Sequence, residues 1–69
     1  MNSVAGNVTN REKEVLHLVG DGFSTKQIAE KLSISHHTVE THRKNLLKKY
    51  EAKNSAELIQ KALVQSLVA

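Results

Sequence analysis

Sixty-nine residues carry ten Lys and Arg against seven Asp and Glu, for a net charge of +3, with no Cys, no Pro and only Phe23 and Tyr50 as aromatics. So short a chain forms one domain with a thin aliphatic core, burying about 60% of the surface that its unfolded form exposes, which leaves little room for a buried active site. The composition excludes a disulfide framework and a cysteine zinc site, no apolar run approaches the ~20 residues of a membrane span, signal-peptide blocks are absent, and the whole fits a cytoplasmic protein.

Met1 to Val8 are small and polar and read as an N-terminal tail or linker remnant, leaving residues 9–69 as the domain. The first helix starts at Thr9, because Thr9 and Glu12 have capping-box spacing. Val15, Leu16 and Val19 form its buried stripe, with Leu18 at the edge. Gly20-Asp21-Gly22 ends it, since Gly takes the left-handed conformation that closes a helix, and Phe23 packs beneath that turn. Ser24 and Gln27 form a second capping box, opening a short helix whose buried face is Ile28, Ala29 and Leu32. Ser33-Ile34-Ser35 is the turn. Ile34 plugs the core and Ser35 caps the next helix.

The third helix runs from about His36 to Tyr50. At ~100° per residue, Val39, Arg43, Leu46, Leu47 and Tyr50 share one side. His37, Thr41, Lys44 and Lys48 share the other, flanked by Glu40 and Asn45. Asn54 or Ser55 caps a fourth helix, with Glu57 placed to help. No strand pattern or repeat appears, so the predicted fold is an all-α four-helix bundle without a winged β element.

Two helices joined by so tight a turn cannot lie antiparallel. They cross steeply, which is the helix-turn-helix arrangement that puts its second helix into a DNA major groove. A polar stripe on an amphipathic helix is most often a solvated face. Three features weigh against that here. Positive charge is concentrated, with Arg43, Lys44, Lys48, Lys49 and Lys53 facing only Glu40 and Glu51. The stripe begins at a helix N-terminus, which attracts phosphate. A short helix and a tight turn precede it. Thr, Lys and His are residues that contact base edges or phosphates.

Several segments, in order, carry a family resemblance. Val8-Thr9-Asn10-Arg11-Glu12-Lys13-Glu14-Val15-Leu16 resembles the LTxREXEVL opening of the LuxR-type helix-turn-helix domain, the effector domain of NarL/FixJ response regulators. Gly22 to Ala29 resembles its GxSNKEIA. Leu32-Ser33-Ile34-Ser35, followed by Thr38-Val39-Glu40-Thr41-His42, resembles LxIS..TVxxH. Lys48-Lys49-Tyr50 and Asn54-Ser55-Ala56-Glu57 resemble its ending. The resemblance spans about Val8 to Leu63. It implies that the third helix enters the major groove and that the fourth pairs with a second copy.

Carried over residue by residue, the resemblance assigns Glu40, Thr41 and Lys44 to base reading. It assigns Thr25, Lys26, His37 and Thr38 to the phosphate backbone, and Lys48 joins them from the helix pattern. Glu40 stands where members often carry Lys or Arg. Its carboxylate either accepts from cytosine N4 or turns aside to Lys44. Tyr50-Glu51 replaces the usual Leu-Gly, which leaves the end of the third helix open, and Ser55 replaces a frequent Arg.

In the fourth helix the apolar residues span roughly 180° of the wheel, against the ~100° that a surface helix needs for its own core. Leu58 and Ala62 serve the core. Ala56, Ile59, Leu63 and Leu67, with Gln60 among them, are left for a two-fold dimer, weak in isolation because the patch is narrow. The alternatives for this surface are a helix wrapped deeper into the monomer and a frayed last turn.

His36, His37 and His42 with Glu40 lack metal-ligand spacing, because His37 and His42 are not the i, i+4 pair of a helix-borne site. His42 is expected to pack and hydrogen-bond at the core edge, His17 to be solvated, and Glu12 and Glu14 to serve the first-turn dipole. No nucleophile motif or phosphate loop is present, so no catalytic residue, cofactor or metal is expected. The reading is a sequence-specific duplex-DNA-binding domain of a bacterial-type transcriptional regulator. It is either the effector piece of a two-component response regulator whose receiver domain lies outside this chain, or a short stand-alone regulator. The competing class is a helical protein–protein interaction module, in which the lysine stripe is only solvated.

Overall fold

The computed structural model describes residues 8–68, with side chains through Gln65. Residues 1–7 of the tail and the side chain of Leu67 lie outside the described residues. Four helices follow one another: α1 (Asn10–Gly20), α2 (Thr25–Leu32), α3 (His36–Lys49) and α4 (Ser55–Val68). No strand occurs among the described residues, so the fold is all-α.

Each helix starts on a side chain that satisfies a free amide. Thr9 Oγ1 accepts from the Glu12 amide at 3.1 Å while Glu12 Oε1 accepts from the Thr9 amide at 3.0 Å. Ser24 and Gln27 repeat this box at 3.2 and 2.9 Å. Ser35 Oγ accepts from the Thr38 amide at 3.0 Å. Asn54 caps α4, its Oδ1 accepting from the Glu57 amide at 2.8 Å, while Glu57 Oε1 takes the Lys53 amide at 2.6 Å.

The first three helices also stop alike. A residue in the left-handed region lets the next amide reach back five residues, closing the open carbonyls. Gly22 does this for α1 at φ +94°, with Phe23 donating to Leu18 O at 3.1 Å. Ser33 does it for α2 at φ 57°, with Ile34 donating to Ala29 O at 3.0 Å. Glu51 does it for α3 at φ 54°, with Ala52 donating to Leu47 O at 2.8 Å. The end of α3, open in the sequence, therefore keeps the closure that glycine favours without the glycine.

α3 is the central element. It packs on α1, α2 and α4, and α1 packs on the other three, whereas α2 and α4 do not pack on each other. The core is Val15, Ile28, Ala29, Val39, Leu46, Tyr50 and Leu58. Leu16, Val19, Phe23, Leu32, Ile34, Leu47 and Ala62 pack around it, together with Val8. Val8, grouped with the tail in the sequence, thus packs with the domain. Each of the large core side chains contributes about 1.5–3 kcal/mol by leaving water. One member was not expected. Glu12 is only 3% exposed, and besides its cap it accepts from Lys49 Nζ at 2.7 Å. Burial pushes its carboxyl pKa up. The hydrogen bonds from Lys49 and from the Thr9 amide, with the Lys49 and His42 charges, outweigh that and hold it below its ordinary value. Glu12 is therefore a structural anion and not merely a first-turn charge.

A residue with a Cβ in the left-handed region carries about 1–2 kcal/mol of steric cost, part of which glycine returns through its larger unfolded-state entropy. Glu51→Gly is therefore expected to raise stability by about 0.5–1 kcal/mol, read as a higher melting temperature. An unchanged or lower melting temperature would contradict the account of how α3 ends.

Candidate nucleic-acid interface

The buried side of α3 fixes which residues it offers to solvent. Val39 and Leu46 are fully buried and Tyr50 nearly so. His37, Glu40, Thr41, Lys44 and Lys48 lie on the side away from them, and all five are exposed. Thr38 is half-buried at the start of α3, where its hydroxyl shares a hydrogen bond with Ser35 Oγ at 2.9 Å. Thr41 donates its hydroxyl to its own helix at His37 O, 3.1 Å, leaving the oxygen lone pairs outward of that bond for a donor.

The first turn of α2 is fastened to this stripe. Thr25 Oγ1 donates to Glu40 Oε2 at 3.0 Å and accepts from Arg43 Nη1 at 3.3 Å. The other guanidinium nitrogen of Arg43 donates to Ser55 Oγ at the start of α4. One line of hydrogen bonds thus runs from the exposed face of α3 through α2 to α4. Thr25 is half-buried, while Lys26 beside it is exposed. Glu40 does not turn aside to Lys44, the internal partner expected from the sequence; its partner in this structure is Thr25.

The charges sort into two kinds. Among the described residues, Lys26, Lys44 and Lys48 make no ion pair with an acidic side chain. Arg43 and Lys49, which the sequence counted with the basic stripe, are engaged within the bundle instead. Ser55, where the family often has Arg, accepts from Arg43, a bond with no signature in sequence spacing. His42 is half-buried, and its enclosed Nδ1 has no hydrogen-bond partner among the described residues, so the expected bond at the core edge is missing. His36 and His37 are exposed. No three His, Asp or Glu side chains gather into a metal-holding group among the described residues, and no described helix is long and apolar enough to cross a membrane.

α4 turns Leu58 and Ala62 toward the core, as its pattern suggests. Leu58 is buried, and Ala62 and Ile59 are half-buried. Ile59 lines a shallow apolar groove with Leu16, Tyr50, Ala62 and Leu63. Ala56 and Gln60 are exposed. Leu63 is 60% and Val64 53% exposed, the largest apolar side chains left to solvent among the described residues. Val64 was not singled out in the sequence, although it lies one turn beyond Gln60 on the same face.

Comparison with known proteins agrees with this geometry. The family described as "Bacterial regulatory proteins, luxR family" matches residues 7–62. The response regulatory protein YgeK of Escherichia coli is 50% identical over 56 residues, covering 81% of this chain and 38% of that protein. The transcriptional regulatory protein DesR of Bacillus subtilis is 51% identical over 57 residues, covering 83% of this chain and 29% of its own. The solved structure of the response regulator StyR superposes with a TM-score of 0.81 at 36% identity, over 86% of this chain and 30% of that one. The chain therefore spans about a third of the length of these relatives. With its helix order, its capped helix-turn-helix and this family match, the chain belongs to the luxR family of bacterial regulatory proteins, as a LuxR-type DNA-binding domain of the response-regulator kind.

Proposed function

We propose that this domain binds duplex DNA sequence-specifically by laying the exposed stripe of α3 in the major groove. Glu40, Thr41 and Lys44 read bases, while Thr25, Lys26, His37, Thr38 and Lys48 meet the phosphate backbone. The observation that carries this reading is the set of lysines without acidic partners, Lys26, Lys44 and Lys48, on and beside the face of α3 that the core does not use. Lys13, Lys31, Lys53 and Lys61 also lack an acidic partner among the described residues, so it is the gathering of Lys26, Lys44 and Lys48 about one face of α3 that supports the reading. Lysines that meet phosphates release counterions, and affinity then falls with salt.

The domain is residues 9–69, with Val8 packed at its edge. It acts as the effector piece of a cytoplasmic transcriptional regulator. The relatives are roughly two to three times as long as this chain, which leaves room in the whole protein for a receiver domain that supplies the input. We further propose that α4 pairs two copies about a two-fold axis through Ala56, Ile59, Gln60, Leu63 and Leu67. The exposure of Leu63 and Val64 supports this, since a monomer gains nothing from leaving both in water. Two copies of α3 would then meet two half-sites of an approximately symmetric operator.

Titration of labelled duplex at several salt concentrations tests the DNA reading. Binding is expected at low salt and is expected to weaken as salt rises. Lys48→Ala should weaken all sequences alike and reduce the salt slope by about 1. Lys44→Ala and Thr41→Ala should instead reduce discrimination between a selected duplex and random DNA, by about 1–3 kcal/mol for a good base contact. An equal loss on both duplexes would remove Lys44 from base reading. No binding at low salt would favour a protein–protein interaction module working through α4.

Leu63→Glu tests the pairing. Because Leu63 is 60% exposed, the variant is expected to keep the parent's helical circular dichroism and melting temperature. It should lose cooperative binding to a duplex with two half-sites while keeping weak binding to one half-site. A collapse in melting temperature would return Leu63 to the monomer core, and unchanged cooperativity would move the dimer contact elsewhere.

A further inference from the structure

Thr25 owns one hydroxyl proton, and the structure commits it. Arg43 Nη1 approaches the Thr25 oxygen as a donor at 3.3 Å, so that oxygen accepts there and its own proton points to Glu40 Oε2, 3.0 Å away. A threonine in this state has no proton left for a phosphate. A glutamate in this state has one oxygen turned from the groove toward α2. The two roles proposed above for Thr25 and Glu40 therefore compete for a single hydrogen bond.

We infer that Thr25 and Glu40 form one coupled readout device, in which phosphate docking by Thr25 is granted only where Glu40 finds a base amino group. The inference rests on the DNA-binding reading above. On a suitable sequence, Glu40 leaves Thr25 and accepts from cytosine N4, which offers a donor in the major groove. The freed hydroxyl then donates to the phosphate. One internal hydrogen bond is exchanged for two to DNA. Where the base edge shows only an acceptor, as guanine O6 or thymine O4 does, the carboxylate is repelled and stays on Thr25. The phosphate contact is then withheld as well. Thr25 thereby influences sequence choice without touching a base. Arg43 remains in place throughout, since Ser55 holds its other nitrogen.

The test begins with a duplex selected from a randomised pool by the 69-residue chain. Binding to that duplex and to its single-base-pair variants is then measured for the parent, Thr25→Val, Thr25→Ser, Glu40→Ala and the Thr25→Val/Glu40→Ala pair. The parent is expected to favour a base that shows an amino group, cytosine or adenine, over guanine or thymine at one position of each half-site by about tenfold. Glu40→Ala should erase that preference, chiefly by raising affinity for the mismatched duplexes. Thr25→Val should lower the same preference, Thr25→Ser should retain it, and Thr25→Val should no longer change it once Glu40 is Ala. Ratios between duplexes cancel the uniform effect of removing a charge. Circular dichroism of each variant checks the fold, and if Thr25→Val melts, Glu40→Ala and Thr25→Ser decide the matter by the same ratios. The inference is overturned if Thr25→Val weakens every duplex equally, or if Glu40→Ala leaves all preferences intact. Failure of the parent to bind any of the pool at low salt would overturn the DNA-binding reading itself.

Discussion

The guanidinium of Arg43 joins three helices of which two do not pack on each other. α2 and α4 each rest on α3 and α1, and Arg43 reaches from α3 to Thr25 at the head of one and Ser55 at the head of the other. Aliphatic packing alone tolerates small slides and rotations, because dispersion contacts are non-directional. A forked cation with two fixed acceptors does not, because each bond fixes both a distance and a direction. The position of α2 relative to α3, on which a helix-turn-helix depends, is therefore held by an apolar core with a polar clamp laid over it. Lys49 and Glu12 do the same at the other end of α3, tying its last turn to the first turn of α1.

These clamps explain how a thin core can hold α3 along one side only. The helix has to keep the lysines of its other side free of acidic partners if it is to meet an anionic ligand. Its basic residues are accordingly divided. Arg43 and Lys49 work inside the bundle, and Lys44 and Lys48 face outward with no ion pair to an acidic side chain. A buried carboxylate such as Glu12 would ordinarily be costly, but its cap and its lysine offset the loss of water. α4 repeats the division in apolar terms, with Leu58 turned inward and Leu63 and Val64 turned out.

The helix starts were legible because capping is local chemistry. Thr9 with Glu12 and Ser24 with Gln27 sit three residues apart, and the structure forms both boxes. The core stripe of α3 was legible because helical periodicity needs no knowledge of the partner helix. The fates of Arg43, Lys49 and Glu12 were not, since each depends on a residue brought near only by folding. Glu12 and Lys49 are 37 positions apart, and Arg43 and Thr25 are 18 apart. Composition could count those charges as basic stripe or first-turn acid but could not pair them. The closure of α3 on Glu51 was hidden for a different reason, because glycine is the usual signal for a left-handed cap and glutamate is not. The Thr25 to Glu40 bond, which joins a residue assigned to phosphate with one assigned to a base, was hidden in the same way as the Arg43 bonds.

The central claim is that the exposed stripe of α3, with the first turn of α2, is the surface that meets DNA. Amide and side-chain chemical shifts of the isotope-labelled domain, followed as short duplex DNA is added at low salt, test it most directly. The largest changes are expected from Thr25 to Lys26 and from His37 to Lys48, with Val15 and Leu58 little moved. Changes centred on Leu63 and Val64, with α3 unaffected, would contradict it.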